Sequence, residues 1–429
     1  MTPLGVEYGC KYTLTGPDGT IAVFNDSTDP NFVGILSPES SGLDSPEVRE
    51  DAQDNTEDDG GIHGNFFYGR RPVILQGTII ASSASQRNER VDKLQRASNA
   101  MRADATLKWK PAGAAEEVEL KLRRQQPVRI TKGYVKDFMV PMVSAEAYIR
   151  SVASKSVVLP ALSSQAKSPT IGENYSAIGS QAWTSPSNVV SSNNVYASVA
   201  LAGSSGQESN GLWARAHGFT IPATSLITGI QTKFERKVAS GNVTDGTVKF
   251  FDGTLESSNQ ALWAWPAADA YQQYGGSQIT GGLSALLTPA IVNSSSFGWI
   301  VSGKKSVGEL RTLEIDHMEM TVYYGVATTV TNLGNAAAYP TIKFTPVTTA
   351  AYPTFKNVTT GESLRLNVEV GAGKAIEINF KNKTITQDGV NIYQYLEFPA
   401  SQWWGLAPGA NEVVSTVPGA EVVFNHTYL

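Results

Sequence analysis

The chain has 429 residues, 41% of them hydrophobic and 17% charged, with a formal net charge of −5. This is the profile of a globular chain of about two to four domains, and its negative sign argues against general affinity for nucleic acid. A single cysteine, Cys10, excludes an intramolecular disulfide and any multi-thiolate metal site.

The opening "MTPLGVEYGCKY" shows neither a basic n-region nor an apolar h-region. No apolar run approaches the ~18 residues of a spanning helix. The expectation is a soluble protein made in a cytoplasm, with no membrane insertion. Charge is uneven: residues 1–151 carry 18 Lys+Arg and 21 Asp+Glu, residues 152–325 carry 10 and 11, and residues 326–429 carry 6 and 7. That drop predicts a domain change near 151.

In chain order, Leu4, Val6, Tyr8, Cys10, Tyr12 and Leu14 share one parity, the pattern of a half-buried strand. "TGPDGT" is a turn and "IAVF" a returning strand. Residues 44–59 hold eight acids against Arg49, and such repulsion predicts a loop. After "NFFYGRRPVILQGTII" comes one convincing helix, with Val91, Leu94, Ser98 and Met101 on a single stripe. "ATLKWK", "EEVELKLRR", "PVRI" and "KDFMVPMVSAEAYI" follow as strands. Residues 1–151 therefore read as a β-domain with one packed helix.

Residues 152–167, rich in Ser and Ala, read as a linker. Residues 168–325 contain short strand-like runs with turn signals between them, which favours a jelly-roll-like β-sandwich. Within it "RTLEIDHMEMTVYY" is one long strand, with His317 and Glu319 on one face and Asp316 on the other. Residues 326–429 form a third β-unit, in which Leu364, Leu366, Val368 and Val370 alternate and Ile376, Ile378 and Phe380 follow a "GAGK" turn. The fold class is mainly β.

No catalytic motif stands out. There is no G-x-S-x-G elbow, and "GAGK" lacks the upstream glycine and the Ser/Thr of a P-loop. The four histidines form no close-spaced metal pair, and His317 reads as structural before it reads as a ligand. Glu235, Asp245, Asp252, Asp269 and Asp316 are candidate glycosidase carboxylates, but sequence brings no two of them together. No cofactor is called for. "ALWAWPAADAYQQYGG" is more suggestive. Trp263, Trp265, Tyr271 and Tyr274 offer ring faces for a sugar, and Asp269 and Gln272 offer partners for its hydroxyls. The alternative is a core plug beneath a long loop. Trp183 and Trp213 sit in strand-like runs and read as core.

The two ends carry a resemblance. "SGLDSPEVRE…DGGIHGNFFYGRRPVILQGTI", followed by one amphipathic helix and "GYVKDFMVPMVSAEAYIRS", resembles the N-terminal domain of siphophage distal tail proteins. "TTVTNLGNAAAYPTIKF", "NVTTGESLRL", "INFKNKTITQDGVNIY" and "WWGLAPGANEV" resemble that family's C-terminal, galectin-like domain in order and spacing. The resemblance covers residues 1–151 and 326–429. It implies a virion protein at the tail tip, a non-enzymatic homohexameric ring joining the tail tube protein to the tip or hub protein, with the tape measure protein as a further partner. In such a ring Asp51, Asp54, Glu57, Asp58 and Asp59 pair with Arg70 and Arg71 across subunits, or else remain solvated charges. Residues 152–325 depart from the family's short form. Some members carry insertions there that resemble carbohydrate-binding modules, which implies weak adhesion to a host-surface glycan. A glycan-degrading enzyme and a purely architectural insertion are the alternatives.

Overall fold

The computed structural model describes residues 9–44, 46, 48–50, 53–54, 61–62, 66–112, 114–133, 135–254, 256–277 and 287–429. Near the N-terminus, Cys10, Tyr12 and Leu14 point into a core, as their shared parity requires. Strand Tyr12–Thr15 pairs antiparallel with Ile21–Phe24 on one side and Ala105–Trp109 on the other. The sheet runs on through Phe32–Leu36, Arg71–Ile79 and Lys136–Ser144 in one direction and through Val118–Arg124 in the other. Arg123 and Arg124 then pair with Val143 and Met142. Seven strands thereby close on themselves, and closure removes the exposed edges that an open sheet of this length would carry.

The helix Ala84–Ala97 lies against this sheet, with Leu94 and Ala97 buried. Ser83 caps it by accepting from the Gln86 amide at 3.1 Å, while Gln86 Oε1 accepts from the Ser82 amide at 2.8 Å. The expected stripe stops at Ser98, the C-cap. Met101 lies beyond the helix and is exposed, and Ala100 takes the buried place instead.

The acidic stretch is not wholly loop. Val48–Glu50 pairs with Phe66–Tyr68, and Gln53–Asp54 pairs with Gly61–Ile62. Backbone pairing at two levels makes this segment a hairpin despite its charge. Asp51, Glu57, Asp58 and Asp59 lie outside the described residues.

The expected linker also holds structure. Lys155–Val158 pairs with Glu421–Phe424, and Ser163–Lys167 pairs along Met320–Tyr324. Just before it, Ile149–Ser151 takes the C-terminal strand Thr427–Tyr428 as its neighbour. The chain end thus returns to the N-terminal sheet. Residues 328–424 form two facing sheets of six and four strands, the six-stranded one including Lys155–Val158, around a core that includes Phe355, Phe380, Trp404 and Val422.

Between Leu159 and Val326 the chain builds a second sandwich. One sheet is led by Arg311–Gly325 and Leu226–Val238, the other by Gly211–Arg215 and Gly298–Lys305. Trp183, Phe234, Trp299 and Met320 fill the space between them. Arg311–Gly325 is one strand, as expected, but its alternation is broken. Glu235 pairs with His317 and Arg236 with Ile315, so Asp316 is a bulge. The extra residue lets Leu313 and Ile315 before it, and Met318, Met320 and Val322 after it, all face the core.

Two outcomes follow from the packing. A Cβ at Gly334 would overlap the Thr427 carbonyl oxygen. Gly334→Ala therefore loosens the C-terminal strand, at a cost of about 1–3 kcal/mol, read as faster amide exchange at Ile149–Ser151. His217 is buried, stacked on Phe219, and its pKa is pushed down to about 4 by burial. The unfolded chain binds that proton near pH 6.5 and the folded chain does not, so stability falls by roughly 3 kcal/mol as pH drops from 6.5 to 4. Urea unfolding across that window shows the slope, and His217→Leu removes most of it.

Candidate functional site

The aromatic loop of the second sandwich is organised by one carboxylate. Asp245 and Arg236 form a fully buried ion pair through Oδ1 and Nη1. Asp245 Oδ2 accepts from the Trp263 amide at 2.8 Å, the Leu262 amide at 3.2 Å and the Tyr274 hydroxyl at 2.7 Å. Trp265 Nε1 donates to Oδ1 at 3.2 Å. The Arg236 guanidinium lies 4.9 Å from the Trp265 ring centre and 5.7 Å from that of Tyr274. A buried charge needs such a complement of donors to be tolerated.

This hub splits the six residues expected to face a glycan. Trp265 and Tyr274 are core: Trp265 stacks on Trp183, and Tyr274 packs on Phe234. Burial, more than the charges beside it, drives the Tyr274 phenol pKa far up. Neither can touch a sugar. Trp263 remains 48% exposed and Tyr271 45% exposed; Trp263 gives the hub only its backbone amide, and its ring stays outside. Asp269 is occupied, accepting from the Tyr196 hydroxyl at 2.8 Å and Lys237 Nζ at 3.1 Å. Gln272 is half-buried, and its amide makes only a 3.5 Å contact with the Gln273 carbonyl.

Around Tyr271 lie residues that sequence reading passed over as ligand contacts. Its hydroxyl is 3.1 Å from His317 Nδ1, and His317 Nε2 is 2.9 Å from Ser168 Oγ. Burial lowers the His317 pKa, outweighing its acidic neighbours. Lys233 sits 5.1 Å over the Tyr271 ring and pairs with Glu319 at 2.9 Å. The bulge at Asp316 is what turns His317 and Glu319 to this face. Asp316 itself accepts from the Asn193 and Val195 amides, and Glu235 accepts from Ser192 at 2.7 Å. Asp252 accepts from the Thr254 amide at 2.8 Å. The five carboxylates considered for hydrolysis are thus each engaged in local structure. Among the described residues no group of three or more His, Cys, Asp or Glu side chains could hold a metal ion.

Trp183 is core, as expected, but Trp213 is not. It lies half-buried on the outer face, 5.0 Å from the Phe251 ring, with the Arg215 guanidinium 5.0 Å over it. Its place in the strand gave its parity, but no sequence signal gave the face.

Of the charges expected at a subunit contact, Arg70 is exposed. Arg71 is fully buried, donating from Nε to the Ala147 carbonyl at 2.9 Å and from Nη1 to the Gly42 carbonyl at 3.2 Å. Burial pushes its pKa down to about 10. It ties the bends at Gly42 and Ala147 to its own strand and, fully buried, is not available to a neighbour.

Residues 333–428 match the family model of the siphovirus-type tail component, C-terminal domain. The C-terminal resemblance to siphophage distal tail proteins stands on that match. No curated protein matches the chain. Among solved structures, the chain is similar to the Dit protein of phage SPP1, described as a hub of the adsorption apparatus in phages infecting Gram-positive hosts. The two are 9% identical, the match covers 97% of this chain and 99% of that one, and the TM-score is 0.47. It is also similar to a chain of the phage P2 baseplate in its activated conformation with calcium, at 12% identity, 73% and 97% coverage and a TM-score of 0.26. Among the described residues no helix is long and apolar enough to cross a membrane.

Asp245→Ala leaves Arg236 buried without a counter-charge. It destabilises the second sandwich by about 3–5 kcal/mol, measured as an earlier unfolding transition by calorimetry, with the transition of the remaining chain unchanged.

Proposed function

We propose, starting from a C-terminal domain that belongs to the siphovirus-type tail components, that this chain is a structural distal tail protein of the virion. It forms a homohexameric ring that joins the tail tube protein to the tip or hub protein, with the tape measure protein as a further neighbour. Residues 168–325 are a domain inserted into that scaffold, and they adhere weakly to a glycan on the host surface.

One observation carries the scaffold reading. The matched domain ends in Thr427–Tyr428, which is a strand of the N-terminal sheet. The matched region is therefore built into the body of the protein and is not a separable appendage. Contacts between copies in a closed ring are heterologous, one surface meeting a different one. The acids Asp51, Asp54, Glu57, Asp58 and Asp59, which lie close together in sequence, and the exposed Arg70 supply opposite charges for such a contact. Light scattering at low and high salt tests it. The expected mass is about six times the 45.9 kDa of one chain, loosening as salt screens exposed charge pairs. A single-chain mass under both conditions, with the tail tube protein present, contradicts the ring.

The adhesion reading rests on Trp263 and Tyr271, two exposed rings on a loop and an edge strand held by the Asp245 hub. Single sites of this size bind weakly, and six of them on one ring gain by multivalency. Trp263→Ala with Tyr271→Ala is expected to reduce binding to host cells by about tenfold or more, since a modest loss at each of six linked sites compounds in the overall avidity. Unchanged binding by the folded double variant leaves the insertion as an architectural or docking element. Release of reducing sugar from host envelope would instead favour a glycan-degrading enzyme, a reading that the engaged carboxylates do not support.

A further inference from the structure

A groove of about 570 Å³ runs where the outer face of the six-stranded sheet meets the segment before the linker. Its size falls within the ~300–1,000 Å³ range of small-ligand sites. Tyr148 and Arg150 line it from the N-terminal side; Tyr339, Asn379 and Trp403 line it from the C-terminal domain.

The charge lining the groove is mostly positive. Arg150, Lys343, Lys381 and Lys383 face one carboxylate, Glu377. Lys343 pairs with Glu377 at 3.3 Å, while Arg150 and Lys381 share Glu146, which lies outside the lining. Lys383 has no ion-pair partner among the described residues. Its φ of +54° places it in a tight turn, which the Asn382 amide closes by donating to Asn379 Oδ1 at 2.9 Å.

The hydrogen-bonding groups left over are mainly donors. Asn379 has spent its oxygen and keeps its amide nitrogen. Lys383 Nζ and Trp403 Nε1 are likewise unengaged, as are the hydroxyls of Tyr148 and Tyr339, among the described residues. A ligand that fits is rich in acceptors. An extended peptide fits poorly, because its own N–H groups would find few acceptors. The rings add a second criterion. Trp403 is stacked on Tyr393 with an interplanar angle of 13° and braced by the Phe380 edge, so its position is fixed. Tyr339 is 48% exposed beside it. Rigid aromatic walls with a few polar groups suit a sugar ring.

We propose that this groove binds an anionic saccharide, a sugar carrying a phosphate or a carboxylate. Lys383 meets the anion, Asn379 and the tyrosines meet hydroxyls or anion oxygens, and Trp403 and Tyr339 flank the ring. This site lies in the scaffold, and it stands or falls separately from glycan adhesion by the insertion.

The test is titration of the full-length protein with glucose 1-phosphate, glucuronate, glucose, inorganic phosphate and a short poly-glutamate peptide, followed by calorimetry and saturation-transfer NMR. Saturable binding of glucose 1-phosphate or glucuronate is expected, and which of them binds identifies the anion. Glucose and inorganic phosphate alone should each bind about tenfold more weakly, and Lys383→Asn should lose about tenfold in affinity for the anionic sugar. Asn tolerates the left-handed backbone, so this variant keeps the turn. Trp263→Ala should change nothing here. The proposal is overturned if neither anionic sugar binds, if Lys383→Asn binds as well as the parent, or if Trp263→Ala is the variant that loses binding. It is also overturned if phosphate or the acidic peptide binds as tightly as the sugars.

Discussion

Two antiparallel pairings bring the end of the chain back to residues 149–158, and the rest of the architecture depends on them. Thr427–Tyr428 lies beside Ile149–Ser151, and Glu421–Phe424 beside Lys155–Val158. The join is reinforced by local polar contacts. The Ser151 amide donates to the His426 carbonyl at 2.9 Å, the His426 amide donates to Ser151 Oγ at 3.0 Å, and Asn425 Nδ2 donates to the Ser151 carbonyl at 2.9 Å. Buried backbone groups need partners, and here each segment supplies the other's. The first and last parts of the chain consequently form one scaffold. Residues between them can be lengthened at small entropic cost, because loop closure grows only slowly with length.

The second sandwich uses that freedom. Its first strand, Ser163–Lys167, pairs with the end of its last, Arg311–Gly325, so the chain enters and leaves at neighbouring positions. Inside, two irregularities set what the domain presents. The Asp316 bulge keeps a 15-residue strand facing the core on both sides of the break. The buried Asp245–Arg236 pair fixes the aromatic loop, taking Trp265 and Tyr274 inward and leaving Trp263 and Tyr271 outside. Both are costly local features, a ladder interruption and a desolvated ion pair, and both end at the exposed face that the proposed adhesion uses.

Much of this was legible in the sequence. Alternation at Cys10, Tyr12 and Leu14, and at Ile376, Ile378 and Phe380, gave the right buried face, because a strand's period of two holds wherever its ladder is unbroken. The helix was legible from its stripe, although its end depended on the cap at Ser98. Non-local facts were not legible. The strands within 152–167 are short and polar, and only their partners some 160 to 270 residues away make them strands. Parity failed at Asp316 because a bulge is a pairing event with no composition signal. In the aromatic loop, composition located a cluster of rings but could not say which rings the Asp245 hub would draw inward. Arg71 was misjudged for a similar reason, since its carbonyl partners at Gly42 and Ala147 come from distant segments.

The central claim is that residues outside the second sandwich form a self-sufficient scaffold closed by the returning C-terminal strands. Calorimetric unfolding of a chain in which residues 163–324 are replaced by a short flexible linker tests it most directly. The account predicts one cooperative transition at the temperature at which the scaffold unfolds in the full-length protein. A chain with no cooperative transition would contradict it, because the second sandwich would then be holding the two ends together.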